Sequence, residues 1–448
     1  MNIVIVGGGE LGSAVAGELI REDHDVTVIE KSDKKAKFLN DSLDALVIAG
    51  SGTDIRILRH ANVEKADLFL ALSNDDNVNI VSCGLVKKLS SATTIAKVEN
   101  VNHYFPGPPN TPADFGIDRI VASKQLTINK IVDLIAEPDT IEHIHFLKEN
   151  VRIFGIVVGE DFSGKDKKLK EITQEDAIWN KIRVIAIKKG NTVHIPGGED
   201  RLQSGDKLYI IGKSDTLHKL ISLYFASHVK VRKVIINGGN RIGRELARQQ
   251  EKNGKRVTII EEDERECERL TEELDNVLII KGSGTNPGVL SELDMEDAFV
   301  VCVTPDDEHN IISAVLAKKH KAFKAVCNIS NIAISSIINQ VKEIDSVFST
   351  ESLAVGEIMK YCRKGDVLSV TPVPYIDAET VKIKISQEIP ILGKTLNEIE
   401  FPKGMIVGAL YRDEQVIIPH GEDRLLLGDV AIIFVLPGSK RLIETIFA

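Results

Sequence analysis

The sequence has few of the residues that stabilise small secreted proteins or that span membranes. Only 5 of its 448 residues are cysteines, and they are widely spaced among apolar neighbours. An odd number of such thiols excludes a disulfide framework and a zinc knot, so we predict reduced thiols in the core. No apolar run approaches the ~20 residues of a membrane helix, and even the stretch 430–436 has only the length of a strand.

A basic excess is also missing, because the formal net charge is −10. Nucleic acid would require a basic face, and adhesion to anionic lipid would require basic residues as well, so neither partner is expected. A β run begins next to Met1, which leads us to expect no signal peptide and a protein made in the cytoplasm. The length favours roughly two to four domains.

The most informative feature that the chain does have is an internal repeat. Residues 2–12 read NIVIVGGGELG, and residues 233–243 read KVIINGGNRIG. Each is a buried-type β run that breaks into a glycine turn and a helical stretch, followed by a second β run that ends in an acid. The two acids, Glu30 and Glu261, are separated by the same number of residues as Gly12 and Gly243. Two nucleotide-type folds on one chain indicate a ligand sensor more than a catalyst.

The first copy carries the full glycine pattern of a dinucleotide-binding turn. Gly7 permits the tight turn from strand to helix, Gly9 lets a pyrophosphate approach the backbone, and Gly12 lets helix and strand pack closely. The phosphates then lie at a helix N-terminus, where N–H groups and the helix dipole favour anions. Glu30, which we expect at an exposed strand end, is placed to accept hydrogen bonds from a ribose diol and to repel a 2′-phosphate. The site should therefore prefer NAD or an adenine nucleotide to NADP.

The second copy departs from this pattern. Gly238 and Gly243 keep the first and third glycines, but Asn240 replaces the second and narrows the point of phosphate approach. Arg241 follows directly and could reach a phosphate as a forked donor. This site is expected to take a different nucleotide or none.

The repeat continues through three more strand ends. The turn 50–53 recurs as 282–285, and the strand end 73–79 recurs as 304–310. The fifth strand ends at Lys97 in the first copy, where a cation suits a phosphate, and at the neutral Asn328 in the second. The second site has therefore lost a phosphate cation as well as a glycine.

A second, unrelated repeat fills the rest of the chain. Residues 195–206 read IPGGEDRLQSGD and match residues 418–429, which read IPHGEDRLLLGD. Each lies in a pattern that predicts a small β-α-β-β-α module with a half-exposed sheet, of a kind that commonly pairs edge to edge. The predicted fold class is α/β, with two Rossmann-like nucleotide-binding domains at 1–136 and 228–364. Each is followed by a small α+β module, at 137–227 and 365–448.

The order of these motifs resembles the regulator-of-potassium-conductance (RCK/KTN) fold. Two full copies in one chain are similar to the cytosolic regulatory subunits of Trk-type potassium uptake systems, and the resemblance covers essentially the whole chain. It implies nucleotide domains that bind NAD(H), with ATP or ADP as the alternative, smaller modules that build the interfaces, and no enzymatic activity.

The resemblance also implies partners. A homo-oligomeric ring, expected to be a tetramer, would dock beneath a membrane potassium-translocating subunit. The ring itself would be cytoplasmic and peripheral on the inner face of the cell membrane. Exchange of nucleotide would change the shape of the ring and hence the opening of the pore.

The candidate cofactor-binding residues are the two glycine turns, the two acids and the polar strand ends beside them. In the first site they are Gly7, Gly8, Gly9, Glu10, Leu11, Gly12, Glu30, Ser51, Gly52, Thr53, Ser73, Asn74 and Lys97. In the second site they are Gly238, Gly239, Asn240, Arg241, Ile242, Glu261, Thr304 and Pro305. No catalytic or metal-ligating residue is predicted, and the departures at Asn240 and Asn328 leave NAD occupancy of the second site open.

Two alternatives remain. An NAD-dependent oxidoreductase would need a substrate pocket and an acid–base pair, which the isolated histidines do not supply. The metal-like stretch Glu142, His143 and His145 has the period of a β-strand and no further ligands nearby in sequence. A free-standing nucleotide sensor that acts on a soluble partner would carry the same nucleotide motifs.

Overall fold

The structure is a computed structural model that describes residues 1–108, 110–146, 150–225, 231–331, 338, 341, 343–362, 367–373, 376, 378–386, 389–439 and 442–447. The chain divides into two compact units. The first contains Met1–Asn129, Ile329–Ile332 and Phe348–Cys362, and the second contains Lys130–Asn328, Ala333–Val347 and Arg363–Ala448. Among the residues that the structure describes, no helix is both long and apolar enough to cross a membrane.

The first nucleotide domain is a parallel sheet covered by helices on both faces. Its strands β1 to β6 are Asn2–Val6, Asp25–Glu30, Leu46–Ala49, Leu68–Ala71, Thr93–Lys97 and Arg119–Val121, and its helices α1 to α6 are Glu10–Arg21, Asp33–Ser42, Ile55–His60, Asp76–Leu89, Val101–Tyr104 and Ser123–Ala136. Short 3₁₀ turns lie at Val63–Lys65 and Pro112–Phe115. The strand order is β3-β2-β1-β4-β5-β6. Ile3 and Ile5 of β1 enter one core and Val4 and Val6 enter another, which explains why this strand is an uninterrupted apolar run.

The first small module is an antiparallel sheet. Strands β7 to β11 are Thr140–Phe146, Val151–Val157, Ile182–Lys189, Thr192–His194 and Lys207–Lys213, in the order β10-β9-β11-β8-β7. Helices α7 and α8 are Leu169–Glu175 and Ser214–Tyr224, with a 3₁₀ turn at Ala177–Lys181. The predicted β-α-β-β-α core is present as β8, α7, β9, β11 and α8, and β7 and β10 extend it.

The second nucleotide domain repeats the first. Strands β12 to β17 are Lys233–Asn237, Arg256–Glu261, Val277–Lys281, Ala298–Cys302, Lys324–Asn328 and Ser346–Phe348, in the order β14-β13-β12-β15-β16-β17. Helices α9 to α12 are Arg241–Lys252, Glu264–Glu273, Pro287–Ser291 and Asp307–Lys319. Helix α13, Thr350–Met359, packs on α1 of the first nucleotide domain, where Ala354 and Ile358 share a core with Val15 and Leu19.

The second small module has the same strand order as the first. Strands β18 to β22 are Val367–Val373, Ala378–Lys384, Met405–Arg412, Gln415–Ile417 and Val430–Val435, in the order β18-β19-β22-β20-β21. They are followed by helix α14, Leu442–Phe447, and 3₁₀ turns lie at Leu396–Glu398 and Pro437–Ser439. The predicted α/β fold class, with two Rossmann-like domains and two small modules, is confirmed.

The two modules pack face to face. Tyr209 and Ile211 of β11 share a core with Ala409 of β20 and with Ile432 and Phe434 of β22. The expectation of half-exposed sheets that pair edge to edge is therefore wrong for this pair. Each sheet buries one face under its own helices and the other face against the sheet of the other module.

Candidate functional site

The first glycine turn has the geometry that the sequence predicts. Gly7 follows β1 with φ +100°, a region that favours glycine, and a Cβ atom there would lie 2.8 Å from the Cα of Ser73. A Cβ atom on Gly12 would lie 1.8 Å from the carbonyl oxygen of Gly7. Both positions exclude any side chain, because the turn presses against the end of β4 and against the first turn of α1.

Gly9 marks the open side of this turn. It is the N-cap residue of α1, and no side chain caps that helix. A Cβ atom on Gly9 would meet no atom within 4 Å. Glu10, Leu11 and Gly12 form the first turn of the helix, where backbone N–H groups and the helix dipole favour an anion. The arrangement lets a phosphate approach along the axis of α1, where the strand order reverses between β1 and β4.

Glu30 lies beside this turn but is not exposed. The residue is only 9% accessible, so the expectation of an exposed strand end is wrong. Its Oε2 accepts a hydrogen bond from Gly8 N at 2.7 Å, and its Oε1 accepts one from Ser32 N at 2.8 Å. The carboxylate holds the glycine turn in place, and it retains acceptor capacity for a ribose hydroxyl.

The turn after β3 packs against the end of β1. A Cβ atom on Gly52 would lie 2.4 Å from Val6 Cγ1, so glycine is required for this close approach. The hydroxyls of Ser51 and Thr53 are 2.8 Å apart, and Thr53 N donates to Ser51 Oγ at 3.2 Å. These residues stiffen the end of β3 next to the crevice.

Three further predicted residues meet at the ends of β4 and β5. Lys97 donates from Nζ to Asn74 Oδ1 at 3.0 Å, next to Ser73. Asn79, which was not among the predicted site residues, joins the two strand ends and is completely buried. Its Oδ1 accepts from Ser73 N at 2.9 Å, and its Nδ2 donates to the carbonyls of Ser73 at 2.9 Å and Lys97 at 2.8 Å.

The signal for Asn79 was present in the sequence as an exact repeat. Asn310 of the second copy makes the same bonds, from Thr304 N to its Oδ1 and from its Nδ2 to the carbonyls of Thr304 and Asn328. A buried amide that recurs at the same place in both halves predicts a positioning role. Pro305 follows Thr304, in the place of Asn74.

The second glycine turn has the same backbone and a different helix end. Gly238 has φ +112°, and a Cβ atom on Gly243 would lie 1.9 Å from the carbonyl oxygen of Gly238. Glu261 Oε2 accepts from Gly239 N at 2.6 Å, as Glu30 does from Gly8. Asn240, however, caps α9 with its own side chain, which accepts from Ile242 N and Gly243 N. Arg241 is the first residue of that helix.

The structure therefore brings the predicted residues of each copy together at the carboxyl edge of one parallel sheet. In the described part of the chain, no group of three histidine, cysteine, aspartate or glutamate residues could hold a metal ion. The metal-like side chains of Glu142, His143 and His145 lie outside the described residues, although their backbone belongs to β7.

Family models match most of the chain in the order of these domains. The TrkA-N domain matches residues 3–122 and 234–350. The TrkA-C domain matches residues 152–224 and 381–447. Each model thus matches twice, once in each half.

Curated relatives align over the full length. The Trk system potassium uptake protein TrkA of Halomonas elongata is 28% identical over 100% of this chain and 98% of its own length. The TrkA homolog 1 of Methanosarcina mazei is 29% identical over 100% of both chains.

Solved structures show the same fold. The crystal structure of the GsuK RCK domain has a TM-score of 0.63 at 17% identity and covers 99% of this chain and 94% of its own. The GsuK channel bound to NAD has a TM-score of 0.63 at 18% identity and covers 100% of this chain and 78% of its own.

Proposed function

The chain belongs to the TrkA family, whose two domain models each match it twice, and on that premise we propose that it is a nucleotide-sensing regulatory subunit of a Trk-type potassium uptake system. In this proposal the protein is not an enzyme. It binds a nucleotide in the cytoplasm and gates a membrane potassium-translocating subunit, to which it docks on the inner face of the cell membrane.

The observation that carries the proposal is the open N-terminus of α1. No side chain caps this helix. A Cβ atom built on Gly9 would have no protein atom within 4 Å, so the approach to the helix end is open. The buried carboxylate of Glu30 lies next to the same turn, on Gly8 N. An anion-binding helix end beside a carboxylate suits the phosphate and the ribose of one nucleotide, and the carboxylate disfavours a 2′-phosphate.

We propose NAD(H) as the ligand of the first site, with ATP or ADP as the alternative. Structural neighbours of the same fold are described as a GsuK channel bound to NAD and as GsuK bound to ADP. Both ligand types present a phosphate to the helix end and a ribose to an acid. The remaining site residues in the proposal are Ser51, Gly52, Thr53, Ser73, Asn74 and Lys97.

Gating follows from differential binding. One nucleotide binds the conformation that opens the membrane subunit more tightly, and another binds the conformation that closes it. A ligand with equal affinity for both would shift nothing, and a near-complete switch needs about 5.5 kcal/mol of differential affinity. Several linked sites in a homo-oligomer, which we propose to be a tetramer, supply this together.

The four predicted domains, with boundaries at 136/137, 227/228 and 364/365, are the parts that we propose to move during gating.

Calorimetric titration with NADH, NAD⁺, ATP and ADP tests the first step. Gly9→Val is the blocking variant, because a Cβ atom at this position meets no protein atom within 4 Å and the side chain would enter the phosphate approach. We expect NADH affinity to fall at least about 100-fold, which corresponds to about 2.7 kcal/mol. Gly17→Val is the matched control, because a Cβ atom on Gly17 of the same helix also meets nothing within 4 Å.

Each outcome has a clear meaning. Unchanged NADH affinity in Gly9→Val would refute the proposed binding pose. Loss of binding in both variants would indicate damage to α1 and not a blocked site. A chain that binds NADH but does not associate with the membrane subunit in proteoliposomes would favour a sensor that acts on a soluble partner, and turnover of NADH would favour an oxidoreductase.

A further inference from the structure

We infer that the side chain of Asn240 occupies the phosphate position of the second nucleotide domain, so that each chain binds one nucleotide, in its first half. The inference rests on the proposed function and makes the two halves unequal. The second domain keeps the fold of a nucleotide site, but the carboxamide of Asn240 occupies the position of the phosphate.

The hydrogen bonds of Asn240 are those that a phosphate oxygen would make at a helix end. Its Oδ1 accepts from Ile242 N at 2.9 Å and from Gly243 N at 3.2 Å. These are N–H groups of the first turn of α9, the groups that a bound anion would use. In the first copy the corresponding residue is Gly9, which has no side chain and provides no cap.

The same carboxamide also spans the crevice. Its Nδ2 donates to the carbonyl of Val303, which directly follows β15. Asn240 itself stands in the turn after β12, and the strand order reverses between β12 and β15. Ligands of this fold bind at that reversal, so the bridge from α9 to Val303 lies across the place where a pyrophosphate would enter.

The residues that follow Glu30 are more basic than those that follow Glu261, which favours a phosphate in the first site and not in the second. After Glu30 the chain continues with lysines at 31, 34, 35 and 37, whereas the equivalent positions after Glu261 are Glu262, Arg265, Glu266 and Glu268. Burial and the neighbouring carboxylates, Glu261 first among them, raise the pKa of Glu266 above its ordinary value. The four positions therefore carry a charge of −2 in the second copy and +4 in the first, which favours a phosphate less even though Glu266 pairs with Arg244 and Arg269. Asn328 offers no replacement for Lys97.

Calorimetry with NADH and with ADP tests the inference on the full chain. We expect the wild-type chain to bind one equivalent of nucleotide and Gly9→Val to bind none. One equivalent that remains bound to Gly9→Val would show that the second site is open, which overturns this inference and leaves the proposed function intact. A wild-type chain that binds neither nucleotide would overturn both, because the first site would then be closed without an asparagine.

A reciprocal exchange tests the role of the carboxamide itself. Gly9→Asn should lose NADH binding at least 100-fold and should have a higher thermal midpoint than Gly9→Val, because only asparagine can cap α1. Asn240→Gly should lower the thermal midpoint, and Asn240→Gly with Asn328→Lys, placed in the Gly9→Val background, should regain one nucleotide per chain. Wild-type affinity in Gly9→Asn, or no regained binding in the last variant, would contradict the assignment.

Discussion

A single asparagine ties two strand ends together at the first candidate site. Asn79 makes three hydrogen bonds to the backbone of Ser73 and Lys97 and has no exposed surface. Removing it takes the side-chain partner from one N–H and two C=O groups that are partly buried, and such a loss costs about 1 to 3 kcal/mol for each group that water cannot reach. The residues that it positions carry two of the predicted ligand contacts.

We therefore expect Asn79→Ala to lower the free energy of unfolding by about 2 to 4 kcal/mol and to weaken NADH binding about tenfold. Asn310→Ala is the matched variant, since Asn310 is equally buried and makes the same bonds in the second copy. It should destabilise the protein similarly and leave NADH affinity unchanged. Equal losses of affinity in both variants would show that Asn79 acts only through stability.

At single residues, the geometry of the glycine turn is predictable because the backbone alone decides it. Gly7 and Gly12 are fixed by the turn, and the turn is visible in their spacing. The burial of Glu30 was missed, because it depends on N–H groups that only the folded turn directs at the carboxylate. Asn240 was recognised as an obstacle, but its role as a helix cap depends on a rotamer that no spacing reveals.

At the level of strands and helices, the apolar run of β11 conflicts with a sheet that is exposed on one face. Strand β11 belongs to a small module for which the sequence predicts a half-exposed sheet. Its central residues, Leu208, Tyr209, Ile210 and Ile211, are all buried. An uninterrupted apolar run of this kind is typical of a strand that is covered on both faces, and the second cover is the other small module. The partner of a buried face is set by tertiary structure, which a local pattern does not contain.

One contact between elements should make stability depend on pH. Lys324 of β16 donates from Nζ to the carbonyl of Thr140, the first residue of β7, at 2.6 Å. Burial lowers the pKa of Lys324 from 10.5 to about 8. Below about pH 8 the lysine is charged in the folded and the unfolded chain, and the folded state bears the full cost of burying the charge. That cost disappears as the pH rises toward 10.5, which stabilises the folded chain by up to roughly 3 kcal/mol.

Urea unfolding at about pH 7 and about pH 10 checks this expectation, with the fluorescence of Trp179, the single tryptophan, as the signal. The stability of the wild-type chain relative to Lys324→Met should increase between the two pH values. Lys319→Met, at an exposed position near the end of α12, should follow the wild type. The same pH dependence in Lys324→Met as in the wild type would show that another group is responsible.

At the scale of the whole molecule, each half exposes an apolar side chain at the equivalent position of a helix. Val81 on α4 is 49% exposed, and Ile312, its counterpart on α12, is 47% exposed. Beside Val81 lies a groove of about 840 Å³ that is also lined by Leu85, Tyr104 and Phe115. Apolar side chains exposed at the same place in both repeats favour contact with a second copy of the chain, because symmetric assemblies reuse equivalent surfaces.

We expect the combined variant Val81→Asp, Ile312→Asp to dissociate the proposed tetramer. Covering a side chain of this size stabilises an interface by about 1.5 to 3 kcal/mol, and a buried unpaired aspartate adds a desolvation cost, so four chains would lose many such contacts at once. Light scattering coupled to size exclusion measures the result against the chain mass of 49.2 kDa. Leu278→Asp is the control, since Leu278 is 57% exposed but its counterpart Val47 is not an exposed residue. If the double variant keeps the wild-type mass while it remains folded, these two helix faces are not the interface, and the small modules become the surfaces to test next.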